Sequence, residues 1–116
     1  MIDTGAYCEQ IARDFLLDQG LVLIHSNYRC RYGEIDLIML DKQLLVWVEV
    51  RMRSTGRFIT AQHSVDQKKQ RKLANTALHF LATDPEYRHC HCRFDVVAFS
   101  SKTEPPCWIK SAFTVT

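Results

Sequence analysis

The stretch Gly33 to Arg51, GEIDLIMLDKQLLVWVEVR, constrains this chain more than any other. Two alternating apolar runs, IDLIML and LLVWVEV, flank a polar break at Asp41, Lys42 and Gln43, which predicts a β-hairpin. Asp36 and Glu49 interrupt those runs. A charge in a strand this hydrophobic is costly unless something binds it. Two such acids placed to face each other suggest a divalent cation. Arg51, two residues past Glu49, adds a positive charge on the same side. Together they outline a metal-dependent nuclease site.

That outline depends on register. Side chains alternate along a strand, so Glu49 and Arg51 share a face. With a loop spanning Asp41 to Leu44, Leu40 pairs with Leu45 and Asp36 falls opposite Glu49. Their Cβ atoms would then lie about 5 Å apart, within bridging distance of one ion. A two-residue loop is expected to make the acids diagonal neighbours on one face. An odd loop separates them unless a bulge restores the phase. The competing reading of these residues alone has the acids on an exposed strand edge, paired with arginines, guarding against aggregation.

A chain of 116 residues predicts one domain, 1–116, with a single core. No run is long and apolar enough to span a membrane, and Met1 to Gly20 lacks the pattern of a signal peptide. Cytoplasmic residence and no membrane partner are the expectations. Five cysteines leave one over and follow no disulfide pattern, so they read as reduced thiols. His89-Cys90-His91-Cys92 has the right ligands for zinc but the wrong spacing, because alternate strand residues point apart.

A net charge of +2 does not by itself point to a polyanion. Its distribution says more. Asp3, Glu9, Asp14 and Asp18 make the first segment acidic. Arg29, Arg31, Arg51, Arg53 and Arg57 cluster around the hairpin, and Lys68, Lys69, Arg71 and Lys72 follow together. A basic patch beside an acidic pocket suits a phosphate backbone carried to a metal. The plainer reading is a solvated helix face with ordinary surface arginines.

Ala6 to Gln19 reads as a helix, with Asp3 and Thr4 as cap candidates and Gly20 as its stop. Its apolar stripe is Cys8, Ile11, Ala12, Phe15 and Leu16. Glu9 lies on the flank of that stripe, where it can reach towards an adjoining sheet or pair with Arg13. Leu21 to Ile24 reads as a short strand, and Tyr28 and Tyr32 as half-buried strand residues. Met52 to His63 reads as a loop. Ser64 to Ala82 is a second helix, with Ser64 and Gln67 as a capping box and Leu73, Ala77, Leu78 and Leu81 as its buried stripe. Lys69 stands on the flank of that stripe, within reach of the sheet edge. Arg93 to Ser100 is a third apolar strand, Glu104-Pro105-Pro106 a turn, and Trp108 to Phe113 a short amphipathic close.

Several ordered stretches resemble the YraN-like family of small bacterial proteins. They are Gly5 with Glu9, Asn27 to Arg31, Gly33 to Ile38, Val46 to Arg51, Val65 with Lys69, Arg93 to Val97, and Ala112-Phe113. That family is similar to the restriction-endonuclease-like superfamily, with its D…(D/E)-x-K motif, and to archaeal Holliday-junction resolvases. The resemblance implies an α/β fold with a restriction-endonuclease-like core, a mixed central β-sheet flanked by helices. It maps the helix carboxylate onto Glu9, the central aspartate onto Asp36 and the second acid onto Glu49. The superfamily lysine falls at Arg51, and Ile35 stands where a proline often precedes the aspartate.

The expected activity is hydrolysis of DNA phosphodiesters with Mg²⁺ or Mn²⁺. Asp36, Glu49 and the Val50 carbonyl would be ligands, and Glu9 would hold a metal water or a second ion. Arg51 completes the catalytic set. A guanidinium keeps its proton, so Arg51 can orient water or offset phosphate charge but cannot act as a base. Arg29, Arg31, Arg53, Lys68, Lys69 and Lys72 are the expected nucleic-acid contacts, and a homodimer would suit cutting of two strands. Two other readings stay open: a non-catalytic nucleic-acid-binding module with the nuclease fold, and an interaction domain whose basic helix meets an acidic protein.

Overall fold

The structure is a computed structural model, and it describes residues 4–52, 65–99 and 105–114. Helix α1 (Thr4–Asp18) precedes a hairpin series of β1 (Val22–Cys30), β2 (Gly33–Asp41) and β3 (Leu44–Met52). Helix α2 (Gln67–Thr83) and a single 3-10 turn (Pro85–Tyr87) lead to β4 (Cys92–Phe99) and β5 (Cys107–Phe113). The strands form one sheet in the order β1-β2-β3-β4-β5. Only β3 and β4 run parallel; the other three pairings are antiparallel. The parallel pair needs a long crossover, and α2 lies in it. The expected α/β class, with a mixed sheet flanked by helices, is what the chain adopts.

Each helix covers one face. Cys8, Ala12 and Leu16 recur every four residues on α1 and pack with Leu37, Met39, Val46, Val48, Val97 and Phe99. Leu73, Ala77 and Phe80 of α2 pack on the other face with Ile35, Ile38, Leu45, Trp47 and Val96. Helix α1 ends as its sequence suggests. Gly20 takes φ 96° and the Leu21 N–H donates to the Leu16 carbonyl at 3.1 Å, a left-handed helix stop.

Several expectations shift. Strand β1 extends from Val22 to Cys30 rather than stopping at Ile24, and Tyr32 lies in the β1–β2 turn rather than in a strand. Helix α2 begins at Gln67 with Asp66 as its cap, the Asp66 carboxylate accepting the Lys69 N–H at 2.8 Å. Ser64 and the Met52–His63 loop, Met52 apart, lie outside the described residues. Leu78 is 64% exposed, so it is not part of the buried stripe. Phe80 takes that role, because its ring packs edge-on against Trp47 and Tyr28 and turns the helix accordingly. Thr76 is buried beside it, its hydroxyl donating to the Lys72 carbonyl at 2.7 Å.

The hairpin turn decides the register of the two acids. Asp41 pairs with Leu44 and Leu40 with Leu45, so the connection is the two residues Lys42 and Gln43, with Lys42 at φ 59°. Pairing continues to Leu37 and Val48. The next position along this register matches Asp36 with Glu49. The diagonal offset expected of a two-residue loop does not arise, because a turn centred on Lys42-Gln43 preserves the Leu40–Leu45 pairing.

A third buried acid, Asp95 on β4, is fully enclosed and fully served. Arg93 Nε donates to both carboxylate oxygens at 3.0 and 3.1 Å, Trp108 Nε1 to Oδ2 at 2.9 Å, and the Ser111 N–H to Oδ1 at 2.9 Å. Arg93 also reaches Asp41 at the end of β2, at 3.0 Å. Ser111, at φ 51°, lies where β5 shifts register against β4, so the carboxylate receives an amide that the ladder would otherwise use. Asp95 thus ties three strands together. Asp95→Ala is expected to cost about 3 kcal/mol in urea unfolding, since it leaves the Trp108 indole N–H, the Ser111 N–H and Arg93 Nε without their acceptor. An unchanged midpoint would refute that role. Gly33, at φ 151°, holds a backbone conformation that side chains rarely adopt, and a Cβ there would lie a tight 3.2 Å from Thr76 Oγ1. Gly33→Ala should therefore destabilise by about 1 kcal/mol or more in the same assay.

Candidate metal-binding site

The site forms where β2 and β3 stop pairing. In a regular strand Ile35 and Leu37 would share a face, yet Ile35 packs under α2 and Leu37 under α1. Strand β2 therefore turns over at Asp36. Across from it, β1 carries Asn27 at φ 55°, between Ser26, paired with Leu37, and Tyr28, paired with Ile35. The distortion in both strands turns the Asp36 side chain towards β3. There Oδ2 accepts the Val50 N–H at 2.8 Å. A carboxylate takes over from the backbone ladder. A strand residue presents its N–H and C=O to the same neighbour, so the Val50 carbonyl also faces this gap.

Glu49 meets Asp36 here. Glu49 is 6% exposed and Asp36 9%, so the two acids are buried side by side. Burial first, then the hydrogen bond and charge of Asp36, push the Glu49 carboxyl up to about 8, against a partial opposing pull from Lys69. Lys69 Nζ lies 3.3 Å from Glu49 Oε2. That contact is an ion pair of poor hydrogen-bond geometry, and Oε2 has no well-formed hydrogen bond. Lys69 thus offsets part of the charge on Glu49, while burial and the neighbouring Asp36 favour its protonated form.

Glu9 approaches Asp36 from the α1 side. Its carboxyl is raised by burial and then by the charges of Asp36 and Glu34, with Asn27 and Arg29 acting in the opposite direction. Its Oε1 is buried without a hydrogen-bond partner. A polar cleft of about 210 Å³ opens beside it, lined by Glu9, Gln10, Arg13, Ser26 and Asn27. Glu9 does not join Asp36 and Glu49 closely enough to make a three-acid metal set among the described residues. A larger apolar groove of about 460 Å³, lined by Trp47, Ala74, Leu78 and Phe94, lies away from these acids.

Arg51 lies two residues beyond Glu49 on β3, paired with Ala98 of β4. The basic residues divide into groups. Arg29 pairs with Glu34, and Arg31 lies over the Tyr32 ring, 4.8 Å from its centre. Gly33 abuts Lys72 and Thr76, so the Arg31-Tyr32 turn sits against α2 near Lys72. Lys68 and Lys72 are exposed one turn apart. Arg53 lies outside the described residues. Lys69, also expected as a nucleic-acid contact, directs its ammonium to Glu49. Sequence placed it within reach of the sheet edge but gave no partner for it. The role of Asp95 was missed altogether; its only signal was a third acid in an apolar strand.

The donor set suits a hard cation. Mg²⁺ and Mn²⁺ take oxygen ligands and retain waters, so two carboxylates and a strand carbonyl suffice. The underserved Glu49 Oε2 is the observation that favours such an ion. Among the described residues no helix is long and apolar enough to cross a membrane.

Comparison with known proteins agrees with the sequence resemblance. The profile of the uncharacterised protein family UPF0102 matches residues 8–99. A UPF0102 protein of Alcanivorax borkumensis is 46% identical over 114 residues, covering 96% of this chain and 91% of its own. One from Psychromonas ingrahamii is 46% identical over 109 residues, covering 94% and 88%. One from Nitrosomonas europaea is 47% identical over 110 residues, covering 94% and 92%.

The raised Glu49 carboxyl has a consequence for stability. Below its ordinary value near 4.5 folded and unfolded chains both hold the proton; above that only the folded chain does, up to about 8. The associated stability is present at acid pH and is lost as pH rises through that interval. In metal-free buffer the melting temperature of wild type should fall between pH 5 and 8.5, and Glu49→Gln should flatten the decline. Parallel pH profiles for the two proteins would refute the raised Glu49 carboxyl.

Proposed function

Because this chain belongs to the UPF0102 family, and because two neighbouring acids are buried at the end of the β2–β3 ladder, we propose that it is a Mg²⁺- or Mn²⁺-dependent nuclease acting on DNA. The observation that carries the reading is the buried Asp36–Glu49 pair, in which Asp36 accepts the Val50 amide and Glu49 keeps an oxygen without a hydrogen bond. Asp36, Glu49 and the Val50 carbonyl would hold the ion. Once bound, it supplies a Lewis acid for the phosphate and lowers the pKa of water.

The remaining work falls to the protein. In hydrolysis the oxygen of water bonds to phosphorus, the bond from phosphorus to the leaving ester oxygen breaks, and one water proton ends on that oxygen. Glu9, on the far side of Asp36, has a free acceptor for a positioning water. Arg51 shares a strand face with Glu49 and keeps its charge, so it offsets the negative charge that builds on the phosphate. Lys68, Lys72 and Arg31 lie along the side of α2 and the β1–β2 turn, a path for the phosphate backbone. Contacts of that kind are salt-dependent and tolerant of sequence. Cutting of both strands by a symmetric homodimer fits the same reading. The resolvase likeness favours branched DNA as substrate.

Purified protein with Mn²⁺ should cleave at least one member of a panel of single-stranded, duplex, flapped and four-way DNA. Glu49→Ala should lower cleavage by about 100-fold or more while retaining DNA binding. Arg51→Lys should retain or raise activity. Equal cleavage by wild type and Glu49→Ala would end the assignment, and metal-independent binding without cleavage would favour the nucleic-acid-binding module. Lys68→Ala and Lys72→Ala should each reduce the slope of log affinity against log salt by about 1.

A further inference from the structure

We infer that Lys69 is the movable cation of this site: it occupies Glu49 until a divalent ion arrives, then turns its ammonium to the scissile phosphate. The inference rests on the nuclease reading and deepens it. Arg51 holds the position of the superfamily lysine, yet the ammonium that contacts the second acid comes from a different element, helix α2.

Three observations carry it. Lys69 Nζ lies 3.3 Å from Glu49 Oε2, but that oxygen has no well-formed hydrogen bond, so the two are held by charge and not locked together. The backbone of Lys69 is fixed: it is the third residue of α2, and its N–H donates to the Asp66 cap at 2.8 Å. Its side chain is not fixed in the same way, being 39% exposed while Glu49 is 7% exposed. A rigid root with a solvent-facing tip can change partners without moving the helix.

Charge supplies the reason to change. A divalent ion on Asp36 and Glu49 would stand close to the ammonium, and like charges repel strongly where water is scarce. The ammonium must leave Oε2. An anionic phosphate oxygen presented to the ion is the partner it can reach, and Lys68 and Lys72 flank that route. Lys69 then donates hydrogen bonds to the phosphate and balances the charge that grows during attack. No proton is transferred by Lys69 in this scheme.

Competition between Lys69 and the ion makes the scheme testable without turnover. Mn²⁺ affinity is measured by isothermal titration for wild type, Lys69→Met and Lys69→Arg in the absence of DNA, with thermal melting as a check on folding. Lys69→Met should bind Mn²⁺ about tenfold more tightly, because a competing cation is gone. Its kcat on the best DNA substrate should fall about 100-fold with KM little changed, and Lys69→Arg should recover part of kcat. Unchanged or weaker Mn²⁺ binding in a folded Lys69→Met overturns the inference, as does unaltered kcat. In those cases wild type still binds Mn²⁺ and cleaves, so the nuclease reading survives. Wild type that binds no Mn²⁺ overturns both.

Discussion

The contact between Asp36 Oδ2 and the Val50 N–H holds the rest of this site in place. A β-ladder that ends inside a protein leaves amides without partners, and an orphaned amide is costly. Here the ladder between β2 and β3 ends after Leu37 and Val48. The Asp36 carboxylate fills the gap. It satisfies an amide, anchors itself and comes to rest beside Glu49. The distortion that frees the strands therefore also organises the acids.

Asp95 and the Asp36–Glu49 pair show two fates of buried charge in one sheet. Asp95 has four donated hydrogen bonds, and nothing about it invites a ligand. Its surroundings were built to close on a carboxylate. Glu49 has an ion pair of imperfect geometry and a second acid for a neighbour. Burial of a charge is tolerated when hydrogen bonds replace the lost water. By that measure Asp95 is structural, whereas Glu49 keeps an oxygen without a hydrogen bond. Burial alone does not separate these roles; the number and quality of donors does.

The two faces of the sheet divide the work. The α1 face brings Glu9 and a small polar cleft to one side of Asp36. The α2 face brings Lys69 to Glu49 and sets Lys72 beside the β1–β2 turn. Asp36, at the point where β2 turns over, is near both Glu9 and Glu49. This accounts for a cluster of charged groups drawn from α1, β2, β3 and α2 without any of them leaving regular structure for long.

The alternation of apolar residues was enough to read the hairpin, and the charges within it were enough to pick out Asp36 and Glu49. Helix α1 and its glycine stop were also legible, because capping and a four-residue apolar repeat are local properties. The face that α2 buries was not: Leu78 and Phe80 are equally apolar, and only packing against Trp47 and Tyr28 chose between them. The same holds for Asp95, whose donors come from β4 and β5, and for Lys69, whose partner is on another element. Sequence by itself determined the β2–β3 hairpin, its acids and the periodicity that puts Glu49 and Arg51 on one face, since these follow from neighbours along the chain. Tertiary structure decided the turn that fixes register, the gap that turns Asp36 towards Val50, and which lysine meets Glu49, since those depend on segments far apart in sequence meeting in space.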